Sequence, residues 1–285
     1  MIKKSKTAEV IISALPYIRK FRDKIFVVKY GGAAQTDDTL KLDFARDIVL
    51  LHMVGIKIIV VHGGGKKINQ TLDKIGVQSE FCDGLRITSK DAIEITEMVL
   101  SGAVNKEITA LLNQNGAPAI GISGKDGGLL RAKFLDEKKY GFVGEITEVN
   151  TKLINDLLQK DYLPVIAPLA GGETDENVSF NINADLCASR IAAALKASKA
   201  IFLSDIDGVL DKEGNLISKL DAALISKLKK DGTIAGGMIP KVDACLQCVR
   251  NGANAAHIIN GKIPHSILLE LFTDGGIGSL IKEEI

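Results

Sequence analysis

Two rhythms of apolar residues run along the chain. Short unbroken runs rich in Val, Ile and Phe begin with Ile25–Tyr30 and recur at Ile56–Val61, Ala119–Ile122, Leu163–Ala167, Ala200–Leu203 and Ala256–Asn260. They lack polar alternation and predict parallel strands covered on both faces. Between them the apolar positions return at helical spacing. Asp38–Met53 carries Leu42, Ala45, Ile48, Val49 and Leu51 in the pattern of an amphipathic helix. Further helices are expected over Lys66–Ile75, from a Thr88 cap with Asp91 in its first turn to about Asn115, and over Lys152–Lys160, Leu186–Lys196, Met238–Asn251 and Ser266–Leu271. Gly116 suits the end of the second of these. Two hairpins interrupt the alternation: Leu129–Phe134 with Phe142–Val149, and a second whose turn is Gly171–Asn177. Strand followed by helix, repeated without internal sequence repeats, predicts a mainly parallel sheet with helices on both faces.

Ahead of the first run, Thr7–Arg22 sets Ile11, Leu15 and Ile18 along one face and basic residues along the other. Pro16 must end or kink that helix, which packs either on its own domain or on a neighbouring subunit. With 285 residues, 46% hydrophobic and 25% charged, the chain supports one large or two modest domains. A net charge of +1 provides no field for gathering nucleic acid or an acidic membrane, and no stretch approaches the ~20 apolar residues of a membrane span. A small, locally recognised ligand is therefore expected. No secretory signal pattern opens the chain, so Cys82, Cys187, Cys245 and Cys248 are expected as thiols in the reducing cytoplasm. Cys245-Leu-Gln-Cys248 has no second pair to answer it and reads as two small buried hydrophobes on one helix.

Chemistry gathers where the strands end. Lys29-Tyr-Gly-Gly32 and His62-Gly-Gly-Gly65 follow strands directly, and ligands of open α/β sheets sit beyond the carboxyl ends of the strands. Three glycines before a helix offer bare N–H groups at its positive end, a place for an anion. Neither loop fits a P-loop or a dinucleotide fingerprint. Asp83–Thr88 holds Arg86 in a turn. Asn181 and Asp185 stand at the entrance of an alanine-rich helix, Ser204–Val209 ends another strand, and Gly232–Gly237 leads into a helix that carries Lys241. No Ser-His-Asp set, Cys/His cluster or Cys nucleophile accompanies them, and His62 reads as structural. Lysines, glycine amides and helix N-termini stabilise charge spread over phosphoryl oxygens, so the residues predict a kinase without a P-loop.

Lys29-Tyr-Gly-Gly32, His62-Gly-Gly-Gly65, Gly84-Leu-Arg86, Asn181-Ile-Asn-Ala-Asp185, Ser204-Asp-Ile-Asp-Gly208 and Gly237-Met-Ile-Pro-Lys241 resemble, in order and spacing, the motifs of the amino acid kinase superfamily. Gly-Leu-Arg with Asn-x-Asn-Ala-Asp is similar to its branch that phosphorylates N-acetyl-L-glutamate in arginine biosynthesis. Single motifs are shared with other members such as glutamate 5-kinase, which remains the alternative, as does a non-catalytic amino-acid sensor on the same fold. The resemblance implies a three-layer αβα sandwich on a mainly parallel open sheet, with β-hairpins over the substrate site. It implies residues 25–196 holding the amino acid, residues 197–285 holding ATP, and residues 1–24 forming a regulatory helix. It also implies Lys29 and Lys241 on the transferring phosphoryl group, with Asp185 orienting both. Gly31, Gly32, Gly64 and Gly65 would line the phosphate and acyl end, Arg86 would clamp the substrate α-carboxylate, and Asn181 would bind its polar groups. Ser204, Asp205, Asp207, Gly208, Val209, Thr233, Ile234, Ala235 and Gly237 would surround the nucleotide. Mg2+ would ride on the nucleotide phosphates, without protein side chains as ligands. Ala14-Leu-Pro-Tyr17 resembles the helix kink of arginine-sensitive members, which implies a hexameric trimer of dimers inhibited by L-arginine, with Tyr17, Glu270, Gly275 and Gly278 at the effector site.

Overall fold

A computed structural model describes residues 8–284 apart from 10 and 176. The apolar runs become strands β1 (Ile25–Tyr30) and β2 (Lys57–His62); a small hairpin, β3 (Glu80–Cys82) and β4 (Leu85–Ile87), carries Arg86. Then follow β5 (Ala119–Ser123), β6 (Leu130–Phe134), β7 (Gly144–Val149), β8 (Leu163–Ala167), β9 (Leu169–Gly172), β10 (Ser179–Asn181), β11 (Lys199–Ser204), β12 (Lys219–Leu220), β13 (Ala256–Asn260) and β14 (Ser279–Ile281). The main sheet runs β12-β14-β13-β11-β1-β2-β8-β5. It is parallel from β13 to β5, while β14 opposes β13. β10-β9-β6-β7 form a second, mixed sheet built on the two expected hairpins.

Side-chain alternation along β1 sets the two faces. Phe26, Val28 and Tyr30 enter the core shared with helices Asp38–Met53, Gly65–Lys74, Lys90–Glu97 and Asn105–Gln114. Val27 enters the opposite core, with helices Lys152–Gln159, Ala184–Ala194, Ala222–Lys230 and Met238–Arg250. This is the expected three-layer arrangement, with strands buried on both sides. Strands from before residue 196 fill one half of the main sheet and later strands the other, meeting where β1 pairs with β11.

Several local expectations are corrected. Thr88 does not cap the helix after the small hairpin; Ser89 does, its side chain accepting the Ala92 N–H, while Thr88 is buried. The region from there to Gln114 is not regular, since Met98–Val104 forms a π-helical segment between two α-helices. Helix Ala222–Lys230 and the short strands β12, at the sheet edge, and β14, next to it, extend the last third.

The N-terminal segment breaks at Ala14, and Pro16 enters the first turn of helix Leu15–Phe21, where its missing N–H leaves no gap. Its expected start at Thr7 lies outside the described residues. Tyr17 and Phe21 turn inward, with rings 6.3 Å from Phe272 and 5.3 Å from Phe26 respectively. Ile11, Ile12 and Leu15 remain exposed. Among the described residues no helix is long and apolar enough to cross a membrane.

Candidate active site

Lys29 shares the face of β1 that Val27 occupies, because side chains alternate along a strand. On that face lies helix Ala184–Ala194. Asn183 caps it, accepting the N–H groups of Asp185 and Leu186, and so fixes Asp185 in the first turn. The Asp185 carboxylate receives Lys29 Nζ at 3.1 Å and Lys241 Nζ at 2.7 Å. Lys241 arrives from the first turn of helix Met238–Arg250. Burial by itself would raise the Asp185 carboxyl, but the two ammonium charges outweigh it and hold it at about 2. One carboxylate thus fixes two cations from opposite halves of the sheet.

The glycine loop after β1 folds against the loop after β11. Gly32 has φ +68°, and a Cβ there would lie 2.5 Å from Asp205 Oδ1, so only glycine fits. Asp205 in turn accepts the Ala33 N–H at 2.8 Å. Two cavities meet at this point. One of about 740 Å3 is lined by Lys29, Gly31, Gly32, Gly64, Gly65 and Asp205, with Lys41, Lys66, Lys67 and Glu107 further out. The other, of about 340 Å3, is lined by Lys29, Gly32, Ser204, Asp205, Gly237 and Lys241. Lys29, Gly32 and Asp205 belong to both.

Arg86 and Asn181 stand behind the second glycine loop and line neither cavity. The Arg86 guanidinium donates to Gly65 O at 3.1 Å and to the Ser79 hydroxyl, and lies 4.7 Å from the Phe81 ring centroid. Asn181 Nδ2 donates to Thr88 Oγ1 at 3.1 Å, and that hydroxyl donates to Arg86 O. A chain of hydrogen bonds therefore runs from the Gly65 loop through Arg86 and Thr88 to Asn181.

Other expected nucleotide contacts are engaged elsewhere. Val209 is buried and donates its N–H to Ser279 Oγ at 2.9 Å. Gly208 has φ +140°, and a Cβ there would lie 2.6 Å from the same oxygen. Asp207 accepts from Asn260 Nδ2 at 2.7 Å. Thr233 is tied to Asp231, Ile234 is buried in the core, and neither they nor Ala235 line either of the two cavities.

Far from the lysine pair, Glu270 accepts from His257 Nδ1 at 2.6 Å and from the Ile277 and Gly278 N–H groups at 2.7 and 3.0 Å. Burial would raise its carboxyl, but His257 and these amides hold it below the ordinary range. Lys199 Nζ lies 2.7 Å from His257 Nε2, and the Tyr17 hydroxyl donates to Asp274. Gly275 stands in open space, whereas a Cβ on Gly278 would lie 2.3 Å from Ile258 O.

Sequence reasoning passed over Asn183, Ser79 and Asn260. The cap preference for asparagine marks Asn183; no such preference marks Ser79, which meets Arg86 across the small hairpin, or Asn260, whose partner Asp207 is distant in sequence. Cys245 and Cys248 are buried thiols, and among the described residues no group of three or more His, Cys, Asp or Glu side chains could hold a metal ion.

The sequence profile of the amino acid kinase family matches residues 24–260. An acetylglutamate kinase of Campylobacter hominis is 77% identical over 283 residues, covering 99% of both chains. That of Campylobacter curvus is 67% identical, covering 97% of this chain and 98% of its own. Among solved structures, N-acetylglutamate synthase from Neisseria gonorrhoeae complexed with coenzyme A and N-acetyl-glutamate superposes with a TM-score of 0.86 at 25% identity. That match covers 98% of this chain and 64% of the longer synthase. Because the profile spans the sheet from β1 to β13, including the strand ends and helix starts that bring Lys29, Asp185 and Lys241 together, this chain belongs to the amino acid kinase family.

Proposed function

We propose that this protein transfers the γ-phosphoryl group of ATP to the side-chain carboxylate of N-acetyl-L-glutamate, forming N-acetylglutamyl 5-phosphate in arginine biosynthesis. Relatives of nearly equal length at 77% and 67% identity carry the name acetylglutamate kinase. The observation that carries the chemistry is the pair of ammonium groups on Asp185 where two cavities meet.

The nucleophile is a carboxylate with a reference pKa of about 4.3, ionised at neutral pH, so the reaction needs no general base. Its oxygen forms a bond to the γ-phosphorus as the bond to the ADP oxygen breaks, and that oxygen leaves with the electron pair. The barrier is repulsion between two anions and the charge that builds on the phosphoryl oxygens. Lys29 and Lys241 answer both from either side, and Asp185 holds them in place. Gly31, Gly32, Gly64 and Gly65 offer amides to the anionic oxygens, Arg86 engages the α-carboxylate and Asn181 the substrate's polar groups.

ATP occupies the smaller cavity against Ser204, Asp205 and Gly237, with residues 197–285 as the nucleotide half and 25–196 as the acceptor half. Mg2+ would supply charge neutralisation to the phosphates; with Asp185 already engaged by two lysines, the nucleotide rather than a protein side chain would hold it. The four thiols suit a cytoplasmic setting. A coupled ADP-release assay across acetylglutamate, glutamate, aspartate, carbamate and UMP tests the assignment. Fastest turnover is expected on acetylglutamate; preference for free glutamate would assign glutamate 5-kinase, and nucleotide binding without ADP release would assign a sensor.

The proposal extends to assembly and control: a hexamer of three dimers joined through the N-terminal helix and inhibited by L-arginine. The exposed Ile11, Ile12 and Leu15 support an intersubunit role. Tyr17 of that helix meets Asp274 and Phe272, Glu270 accepts from the Ile277 and Gly278 N–H groups of the neighbouring loop, and a buried carboxylate with adjacent backbone groups suits a guanidinium amino acid.

A further inference from the structure

His62 opens the second glycine loop and is fully buried, lining neither cavity. Its ring is held on both sides. Nδ1 lies 2.9 Å from Gly63 O, a group that only accepts, so the proton must sit on Nδ1. Nε2 lies 3.1 Å from Asn105 Nδ2 and must accept. The orientation of the Asn105 amide is itself determined. Its nitrogen also faces Val165 O at 2.8 Å and Ile122 O at 3.2 Å, and its oxygen receives Lys106 Nζ at 3.1 Å. Gly121 in β5 makes room for this amide, since a Cβ there would lie 2.0 Å from Asn105 Oδ1. Burial keeps the ring neutral, with its pKa pushed down to about 4.

In a trans peptide, the carbonyl and the following N–H point in opposite directions. Gly63 O faces the buried His62 ring, which lines neither cavity, and also accepts from Gln35 Nε2 at the cavity wall at 3.2 Å. The Gly64 N–H therefore turns the other way, toward the larger cavity that Gly64 lines, and it has no acceptor among the described residues. We propose that His62 and Asn105 are positioning residues for the phosphoryl-transfer reaction: their relay fixes the Gly63–Gly64 peptide so that the Gly64 N–H meets the anionic oxygen of the reacting carboxylate. The inference rests on the phosphotransferase reading above.

Three measurements on the full-length enzyme test it. Proton–nitrogen NMR of the nitrogen-15-labelled wild type should show a neutral His62 ring protonated at Nδ1 across neutral pH; an Nε2–H tautomer or an imidazolium would overturn the relay without any variant. Asn105→Asp, which cannot donate to Nε2, should put a proton on Nε2, as the Nε2–H tautomer or the imidazolium, and lower kcat by about tenfold or more, the scale of a misplaced preorganised donor. His62→Ala should lose a similar factor in kcat with the KM for ATP unchanged, while His62→Asn, which keeps a donor near the Nδ1 position, should recover most of it. Equal turnover in the alanine and asparagine variants, or a proton on Nε2 with unchanged kcat, would refute the role. A wild type that releases no ADP on acetylglutamate would instead remove the phosphotransferase reading itself, whatever the tautomer.

Discussion

Asp185 is the residue on which the proposed chemistry and the acid stability of the site both turn. Its carboxyl is held at about 2 against an ordinary 3.8, so ionised Asp185 contributes on the order of 2 kcal/mol to folding. Because the folded value lies below the unfolded one, that contribution is complete above pH about 4 and is lost as pH falls toward 2. Asp185→Asn should flatten the acid limb of a circular-dichroism unfolding profile in that window. In the proposed mechanism the lysines it holds act on charge that develops during transfer, so Lys241→Ala should cut kcat by about 10² or more and leave KM little changed. Arg86→Lys should do the reverse, because a point charge replaces a planar fork; if both variants mainly raised KM in steady-state assays, the assigned roles would be wrong. Lys29, Asp185 and Lys241 were legible in the sequence, each a charged residue at a strand end or helix start beside glycine or asparagine. Val209 and Ile234 were not. A loop valine reads the same whether it meets a nucleotide or the core; in the fold Val209 is buried in the core and its N–H is taken by Ser279 of distant β14.

At the scale of elements, the π-helical segment Met98–Val104 explains why the second glycine loop is glycine. A Cβ on Gly64 would lie 2.5 Å from Leu100 Cδ2 and 3.4 Å from Val104 Cγ2, both on that segment. Gly64→Ala should destabilise the protein by about 1–3 kcal/mol through overpacking. Combining it with Leu100→Ala should cost less than the sum of the two, since the second change opens the space the first one needs; urea melts of the four proteins measure the coupling. Strict additivity would show that the contact is relieved elsewhere. The long helices and both hairpins followed from period and turn residues in the sequence. The π segment did not, because one extra residue per turn leaves composition and apolar spacing almost untouched. Thr88 and Ser89 are equally good caps on paper; the hydrogen bond from Asn181, far along the chain, gives Thr88 its other task. β12 and β14 span two and three residues, too short to leave a run.

For the whole molecule, alternating strand and helix patterns gave the parallel sheet and its two covered faces. Strand order was not readable, because nothing local tells β11 to return beside β1. The N-terminal helix is the other feature of this scale. Deleting residues 1–20 should leave an active dimer that arginine no longer inhibits, checked by sedimentation and by ADP release with and without arginine; a full-length protein that sediments as a dimer, or is indifferent to arginine, would remove the assembly proposal. The join between halves has one more consequence. Four consecutive pairs, from Phe26 with Lys199 to Lys29 with Phe202, tie β1 to β11 in the middle of the sheet, and the last of them includes a lysine of the Asp185 pair. Neither half can melt while the other keeps a working lysine pair. Heating should therefore abolish ellipticity and turnover at a single shared midpoint, making enzyme activity a direct thermometer of the global fold, with no heat-inactivated but folded species in between.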